Sequence, residues 1–188
     1  MAARRLVVAA AIVDDVERPT RVLAARRTGP PTLAGKWELP GGKVEPGEDP
    51  VAALHREITE ELQISLTLGA EVVPTMAELS ATVVARGTVR SDNSAWPLSD
   101  TLEMRIWVAS VRAGEVTAST DHDRLLWVGA DEIAHLDWLP GDRAAVAELR
   151  RLLGWAAGGW AAGLLGGWAP RSASRTRHPG DVVPDAAI

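Results

Sequence analysis

The chain has 188 residues, a net charge of −5 and no cysteine. That length suits one domain with a short appendage. The missing cysteines exclude disulfides, thiolate metal sites and a cysteine nucleophile, and the acidic balance argues against a coat for duplex DNA or RNA.

The predicted elements run as follows. Arg4 and Arg5 precede an apolar run, Leu6 to Val13. As a signal peptide the run is short, and Asp14-Asp15 end it without a cleavage site. Its Val and Ile content reads better as a buried first strand. Pro19 and Thr20 form a turn, and Arg21 to Arg26 is expected to pair back on the first strand. Gly29-Pro30-Pro31 is a loop. Asp49 to Leu62 is a helix: Asp49 suits the N-cap, Pro50 the first turn, and Val51, Leu54, Ile58 and Leu62 form one apolar stripe. Ser65 to Thr75 and Leu79 to Ala85 read as extended, and Arg86 to Ser99 as a surface loop. Leu102 to Val111 and Leu125 to Val128 are strands. Pro140 opens a last helix from about Gly141 to Leu153.

Chemistry concentrates in Gly41-Gly42-Lys43-Val44-Glu45-Pro46-Gly47-Glu48 and His55-Arg56-Glu57-Ile58-Thr59-Glu60-Glu61. Glu57, Glu60 and Glu61 stand at i, i+3 and i+4, so they share a helical face. Like charges at that spacing repel by roughly 0.2–0.5 kcal/mol per pair. A hard divalent cation turns that repulsion into ligation, and carboxylates with open water positions suit Mg²⁺ or Mn²⁺ shared with substrate phosphates. Glu48 can reach the same ion from the Gly-rich loop. Arg56 can pair with Glu60 or Glu48. A solvated acidic helix face is the plain alternative for an isolated Glu-x-x-Glu-Glu.

The full pattern is Gly42, five residues, Glu48, seven residues, Arg56-Glu57-Ile58, one residue, Glu60-Glu61, then Ile64. It resembles the Nudix box, with Gln63 where that box has glycine. The glycine ends the helix in a left-handed conformation, so Gln63 must either accept strain of order 1 kcal/mol or end the helix differently. Trp37-Glu38-Leu39-Pro40-Gly41-Gly42-Lys43 is similar to the segment leading into the box of MutT-type enzymes, which act on nucleoside triphosphates. Asp121, five residues, Trp127-Val128 and the stretch Leu136 to Asp142 resemble further family segments. The resemblance spans about Arg4 to Leu153.

It implies an α/β (α+β) fold, the Nudix α/β/α sandwich, with a mixed β-sheet between the Nudix helix and the C-terminal helix. It implies Mg²⁺-dependent attack of water on the β-phosphorus of a triphosphate, releasing nucleoside monophosphate and pyrophosphate. The implied metal set is Gly41, Glu48, Glu57, Glu60, Glu61 and Asp121; the implied catalytic set is Glu57, Glu61, Asp121 and Arg56. Arg27, Lys43, Trp138 and Asp142 are the implied substrate contacts. Arg27 would meet a phosphate or the base. Trp138 would either stack on the base or be an ordinary core or surface tryptophan. Asp142 stands where similar enzymes read the base. An ionised Asp only accepts, which matches cytosine N4, and the variant resembles the branch acting on CTP, dCTP, 5-methyl-dCTP and 8-oxo-dGTP. Alternatively, Asp142 only caps the last helix.

Rival readings are a Nudix hydrolase of ADP-ribose or dinucleoside polyphosphates and a catalytically silent Nudix-fold binding module. His55, His122 and His135 lack paired ligand spacing and read as neutral surface residues. Gly154-Trp155-Ala156-Ala157-Gly158 is repeated as Gly159 to Gly163. From this break the domain is taken as 1–153 and the tail, 154–188, as low-complexity and disordered. The uncharged stretch Leu152 to Ala169 is weakly hydrophobic for a membrane span. The expected protein is cytoplasmic, a monomer or homodimer, with a nucleotide substrate and no nucleic-acid polymer as partner.

Overall fold

The computed structural model describes residues 5–75 and 95–157, with side chains to 154. Strand β1 (Arg5–Ile12) is central, and its alternating apolar residues serve two faces. Val8, Ala10 and Ile12 pack with Ala53, Leu54, Ile58 and Leu62 of helix α1 (Pro50–Leu62). Ala9 and Ala11 share a second cluster with Ala145, Val146, Leu149 and Leu153 of helix α2 (Arg143–Ala157). These β1 positions are at most 2% exposed. Small residues along β1 let α1 approach closely, and α2 closes the core on the other face, which makes the α/β/α layering.

Around β1 lie β4 (Gly41–Lys43), antiparallel, and β7 (Leu102–Ala113), parallel. β7 also pairs with β5 (Ser65–Val72) and β6 (Trp96–Pro97), completing a five-stranded mixed sheet. The other strands are β2 (Val22–Arg27), β3 (Trp37–Glu38) and β8 (His122–Val128). They form a separate antiparallel sheet in the order β3-β2-β8. A 3₁₀ turn, Ile133–His135, precedes α2.

The α/β/α class therefore holds, with two corrections. The strands divide between two sheets. β2 does not pair back along β1: a lone Val13–Val22 bridge joins them, and β2 lies between β3 and β8. Two tight groups of residues at the sheet ends, treated below, depend on this arrangement. The last helix continues past Leu153 to Ala157. In α1, Val51 is 37% exposed and Ala53 takes its place in the core. Trp96, read as part of a surface loop, is 1% exposed, and its indole N–H donates to the Val72 carbonyl at 2.7 Å. The extended segment expected at Leu79 to Ala85 lies outside the described residues.

The ends of α1 follow its sequence. The Asp49 carboxylate accepts from Val51 N at 2.9 Å and Ala52 N at 3.0 Å, filling orphan N-terminal donors. At the other end Gln63 adopts φ 56°, ψ 30°, and its N–H donates to the Thr59 carbonyl. The chain thus makes the left-handed cap without the glycine and accepts the strain of a Cβ there. We expect Gln63→Gly to raise stability by about 0.5–1 kcal/mol. Urea unfolding checks this: the midpoint should rise at constant slope, and an unchanged or lower midpoint refutes it.

Candidate active site

Two glycines seat the helix carboxylates. Gly41 has φ 152°, and a Cβ there would lie 2.1 Å from the Val8 carbonyl oxygen of β1. Only glycine allows that backbone approach. A Cβ on Gly42 would lie 2.2 Å from Cδ of Glu57. The Glu57 carboxylate therefore rests on bare backbone. The Gly41 N–H donates to Glu61 Oε2 at 3.3 Å. Glu57 and Glu61 are thereby gathered over one short strand.

Arg56 organises the outer side. Its Nε and Nη2 each donate to one oxygen of Glu48 at 2.9 Å, and Nη1 donates to Glu57 Oε1 at 2.9 Å. Nη2 also reaches the Lys43 carbonyl at 3.2 Å. This bidentate clamp fastens the loop to the helix and holds the Glu48 carboxyl down at about 2. Glu60 is an outlier. Its side chain is 62% exposed and meets Arg56 only at 3.4 Å, because i+3 falls on the outer flank of the Glu57–Glu61 edge. Lys43 is exposed at the end of β4.

Inside lies a network that the sequence reading did not assemble. Glu38, 8% exposed, receives Arg27 Nη1 on both oxygens, at 2.7 and 2.8 Å. On its other side stands His122 Nε2, 2.7 Å away. His122 is 1% exposed, so the surface reading of this histidine was wrong. Burial alone would push His122 down, but the Glu38 hydrogen bond and the Glu61 charge outweigh it and raise it. His122 opens β8 with its side chain buried, while Asp121 lies in the bend just before the strand. Asp121 is exposed, and its backbone carbonyl accepts from Thr28. The structure thus does not bring the Asp121 side chain to Glu57 and Glu61. Only strand phase could have singled out His122.

Arg27 is likewise not a loose phosphate arm, since Glu38 and the Gly29 carbonyl hold it. Of the readings open for Trp138, the structure shows the core one rather than base stacking: it is 3% exposed, and its N–H donates to the Ile133 carbonyl at 2.7 Å. Its backbone bridges to Trp37, which aligns the following turn with β3. Asp142, 5% exposed, sits in that turn and accepts from Leu39 N at 3.2 Å. Burial, then the Glu38 charge, pushes its carboxyl up to about 7. Burial likewise pushes Glu61 up to about 7, with Glu38 and Glu57 adding to the rise and His122 opposing it.

Residues 3–149 match the NUDIX domain family. This chain belongs to the Nudix family. It is 42% identical over 149 residues to a Mycobacterium tuberculosis protein named "Putative 8-oxo-dGTP diphosphatase 2", covering 79% of this chain and 90% of that one. It is 32% identical over 127 residues to the CTP pyrophosphohydrolase of Escherichia coli, covering 68% and 80%. The solution structure of the E. coli ORF135 protein superposes with a TM-score of 0.57 at 27% identity, covering 80% of this chain and 91% of that chain. The relatives are those of a MutT-type Nudix hydrolase.

Nudix hydrolases use divalent cations. Among the described residues no three acidic or imidazole groups converge into a ready-made metal cluster. Arg56 neutralises Glu48 and Glu57 instead. The donor set nevertheless fits a hard cation: carboxylate oxygens of Glu57 fill the space above Gly42, and Glu61 carries a burial cost that a neighbouring cation relieves.

Two outcomes follow. In Gly42→Ala the flexible Glu57 carboxylate has to move, while the backbone can stay. Stability should change by less than about 1 kcal/mol, while kcat falls by about 10²-fold. A fully active alanine variant would show that Glu57 placement is unimportant. The second outcome concerns pH. Glu61 and Asp142 are raised from 4.5 and 3.8 to about 7. Between those values the folded state binds more protons than the unfolded state, so stability falls as pH rises. Urea unfolding with chelator should give lower stability at pH 8 than at pH 5, and Glu61→Gln should shrink the difference. A rise in stability over that window contradicts the assignment.

Proposed function

We propose that this Nudix protein is a Mg²⁺-dependent pyrophosphohydrolase of nucleoside triphosphates, with Mn²⁺ as a workable substitute. Its substrates in this reading are CTP, dCTP or 5-methyl-dCTP, 8-oxo-dGTP, or both groups. Water attacks the β-phosphorus, the bridging oxygen leaves with the α-phosphate, and the products are nucleoside monophosphate and pyrophosphate. The relatives named for 8-oxo-dGTP and CTP support this reading. The observation that carries it is the Glu48–Arg56–Glu57 clamp, with Glu57 and Glu61 over the glycine pair.

In this reading Glu57, Glu61, Glu48 and the Gly41 backbone hold the cation. When bound, the cation neutralises phosphate charge and lowers the pKa of the attacking water. Arg56 keeps Glu48 ionised and aims both Glu48 and Glu57. Glu57 or Glu61 takes the proton of the water. Glu60 and Asp121, both exposed, would reach the cation only by side-chain movement. Lys43 and the exposed part of Arg27 meet the phosphates. The domain comprises residues 1–157, so the boundary moves to the end of α2. The protein works in the cytoplasm, where such hydrolysis clears damaged or surplus nucleotides. Among the described residues no helix is long and apolar enough to cross a membrane.

The test is a panel of dCTP, CTP, 5-methyl-dCTP, 8-oxo-dGTP, ATP and ADP-ribose with Mg²⁺, scoring pyrophosphate against phosphate. Pyrophosphate from the first four supports the reading. Turnover of ADP-ribose alone replaces it with the rival Nudix activity, and no turnover leaves a binding module. Glu57→Gln should lower kcat by at least about 10²-fold; near-full activity in that variant sinks the carboxylate assignment.

Base choice rests on Asp142. With its carboxyl at about 7, it is part protonated at neutral pH. Protonated, it can donate to a guanine O6; ionised, it accepts from cytosine N4. Raising the pH from 6 to 8.5 should therefore favour dCTP over 8-oxo-dGTP in kcat/KM. Asp142→Asn should flatten that dependence and shift the ratio by roughly 1–3 kcal/mol toward 8-oxo-dGTP. A ratio that follows neither pH nor the substitution leaves Asp142 as a helix cap.

A further inference from the structure

The Arg27–Glu38–His122 network lies between the carboxylate helix and the Asp142 turn. Each member comes from a different strand of the second sheet: Arg27 from β2, Glu38 from β3 and His122 from β8. Their charges are felt on both sides, since Glu61 responds to Glu38 and His122, and Asp142 to Glu38 and Arg27. Arg27 is the only member open to solvent, its side chain 29% exposed. Its Nε and Nη1 are taken by Gly29 and Glu38, while Nη2 has no partner among the described residues.

His122 is an expensive choice for a purely structural position. Its Nδ1 is buried with no hydrogen-bond partner. An apolar residue of similar size would fill the space without that desolvation cost. What the imidazole adds is the single contact from Nε2 to Glu38.

We propose that His122 is a positioning residue: Nε2 fastens Glu38, and Glu38 in turn holds the Arg27 guanidinium in one orientation toward the nucleotide. This rests on the reading of Arg27 as a substrate contact. An arginine side chain has several rotatable bonds, and fixing it before binding removes an ordering cost from association. His122 touches no reacting atom in this role. Its removal should act on binding, through KM, and leave the phosphate chemistry in place.

The test uses the full chain with His122→Leu and His122→Gln. Glutamine places an amide donor near the Nε2 position, and leucine supplies volume alone. In His122→Leu we expect KM for the preferred triphosphate to rise about tenfold, the lower end for losing a supporting contact. kcat should stay within about twofold and the melting temperature should not fall. His122→Gln should restore the wild-type KM. A second readout needs no substrate: the guanidinium Nη1–H resonance of Arg27, which donates to Glu38 and is assigned with Arg27→Lys, should be protected from exchange in wild type and His122→Gln and lose that protection in His122→Leu. If wild type hydrolyses no triphosphate, the functional reading fails, and the resonance alone decides whether His122 fixes Arg27. Unchanged protection in His122→Leu overturns the proposal. So does a joint fall of kcat and melting temperature in both variants, which marks a packing role only.

Discussion

The structure turns on keeping carboxyl groups close together inside a folded chain. Glu38 and Glu57 act on Glu61, and Glu38 acts on Asp142, across the junction of α1, β3 and the turn before α2. Left to Coulomb repulsion and desolvation, such a group would move apart or stay protonated. The fold answers from three directions. Arg56 neutralises Glu48 and Glu57 from the solvent side. Arg27 neutralises Glu38 from within, and His122 Nε2 stands in hydrogen-bond contact with it. Burial leaves Glu61 and Asp142 part protonated at neutral pH. The arrangement is held by packing of α1 against β1, because the same helix turns that bury Leu54, Ile58 and Leu62 aim Glu57 and Glu61 at the glycine pair.

How much of this was legible in the chain depends on distance along it. The clamp was readable because Glu48, Arg56, Glu57 and Glu61 lie within one loop and one helix, where spacing fixes direction. The Asp49 cap was readable for the same reason, whereas the sequence left open whether Gln63 takes the left-handed conformation or ends the helix differently, and the structure shows the first. Glu60 shows the limit of the method: its spacing puts it near the others, but the exact helix phase against β1 turns it outward. The Arg27–Glu38–His122 group was not readable. Its members are brought together by the pairing of β2 with β3 and β8, and strand pairing is not encoded in local periodicity. Expecting β2 to pair with β1 hid the neighbours that matter.

The tryptophans show a related ambiguity. Trp138 and Trp96 both carry a polar N–H on a large apolar body, so either a core or a ligand-facing site is chemically reasonable. The structure decides by giving each indole a buried carbonyl partner, Ile133 for Trp138 and Val72 for Trp96. Trp138 still matters to the site through its backbone. The bridge to Trp37, with Leu139 N donating to the Trp37 carbonyl at 2.8 Å, lays the 137–142 segment beside β3. Asp142 then meets the Leu39 N–H one step past Glu38.

That backbone alignment connects the Asp142 turn to the carboxylate helix. β3 runs through Leu39 and Pro40 into β4, whose Gly41 and Gly42 seat Glu57 and Glu61. A shift of β3 by one residue would move Glu38 to the other face and unseat Asp142 and the glycine pair together. The separate sheet of β2, β3 and β8 is thus the part that sets the Asp142 turn relative to the carboxylate helix. Its inward polar groups, Arg27, Glu38 and His122, lock that register more specifically than apolar contacts could, because Arg27 and His122 both bond the one Glu38 carboxylate at 2.7–2.8 Å. Substitutions that loosen this lock should alter which nucleotide is held before they alter how its phosphate bond is cut.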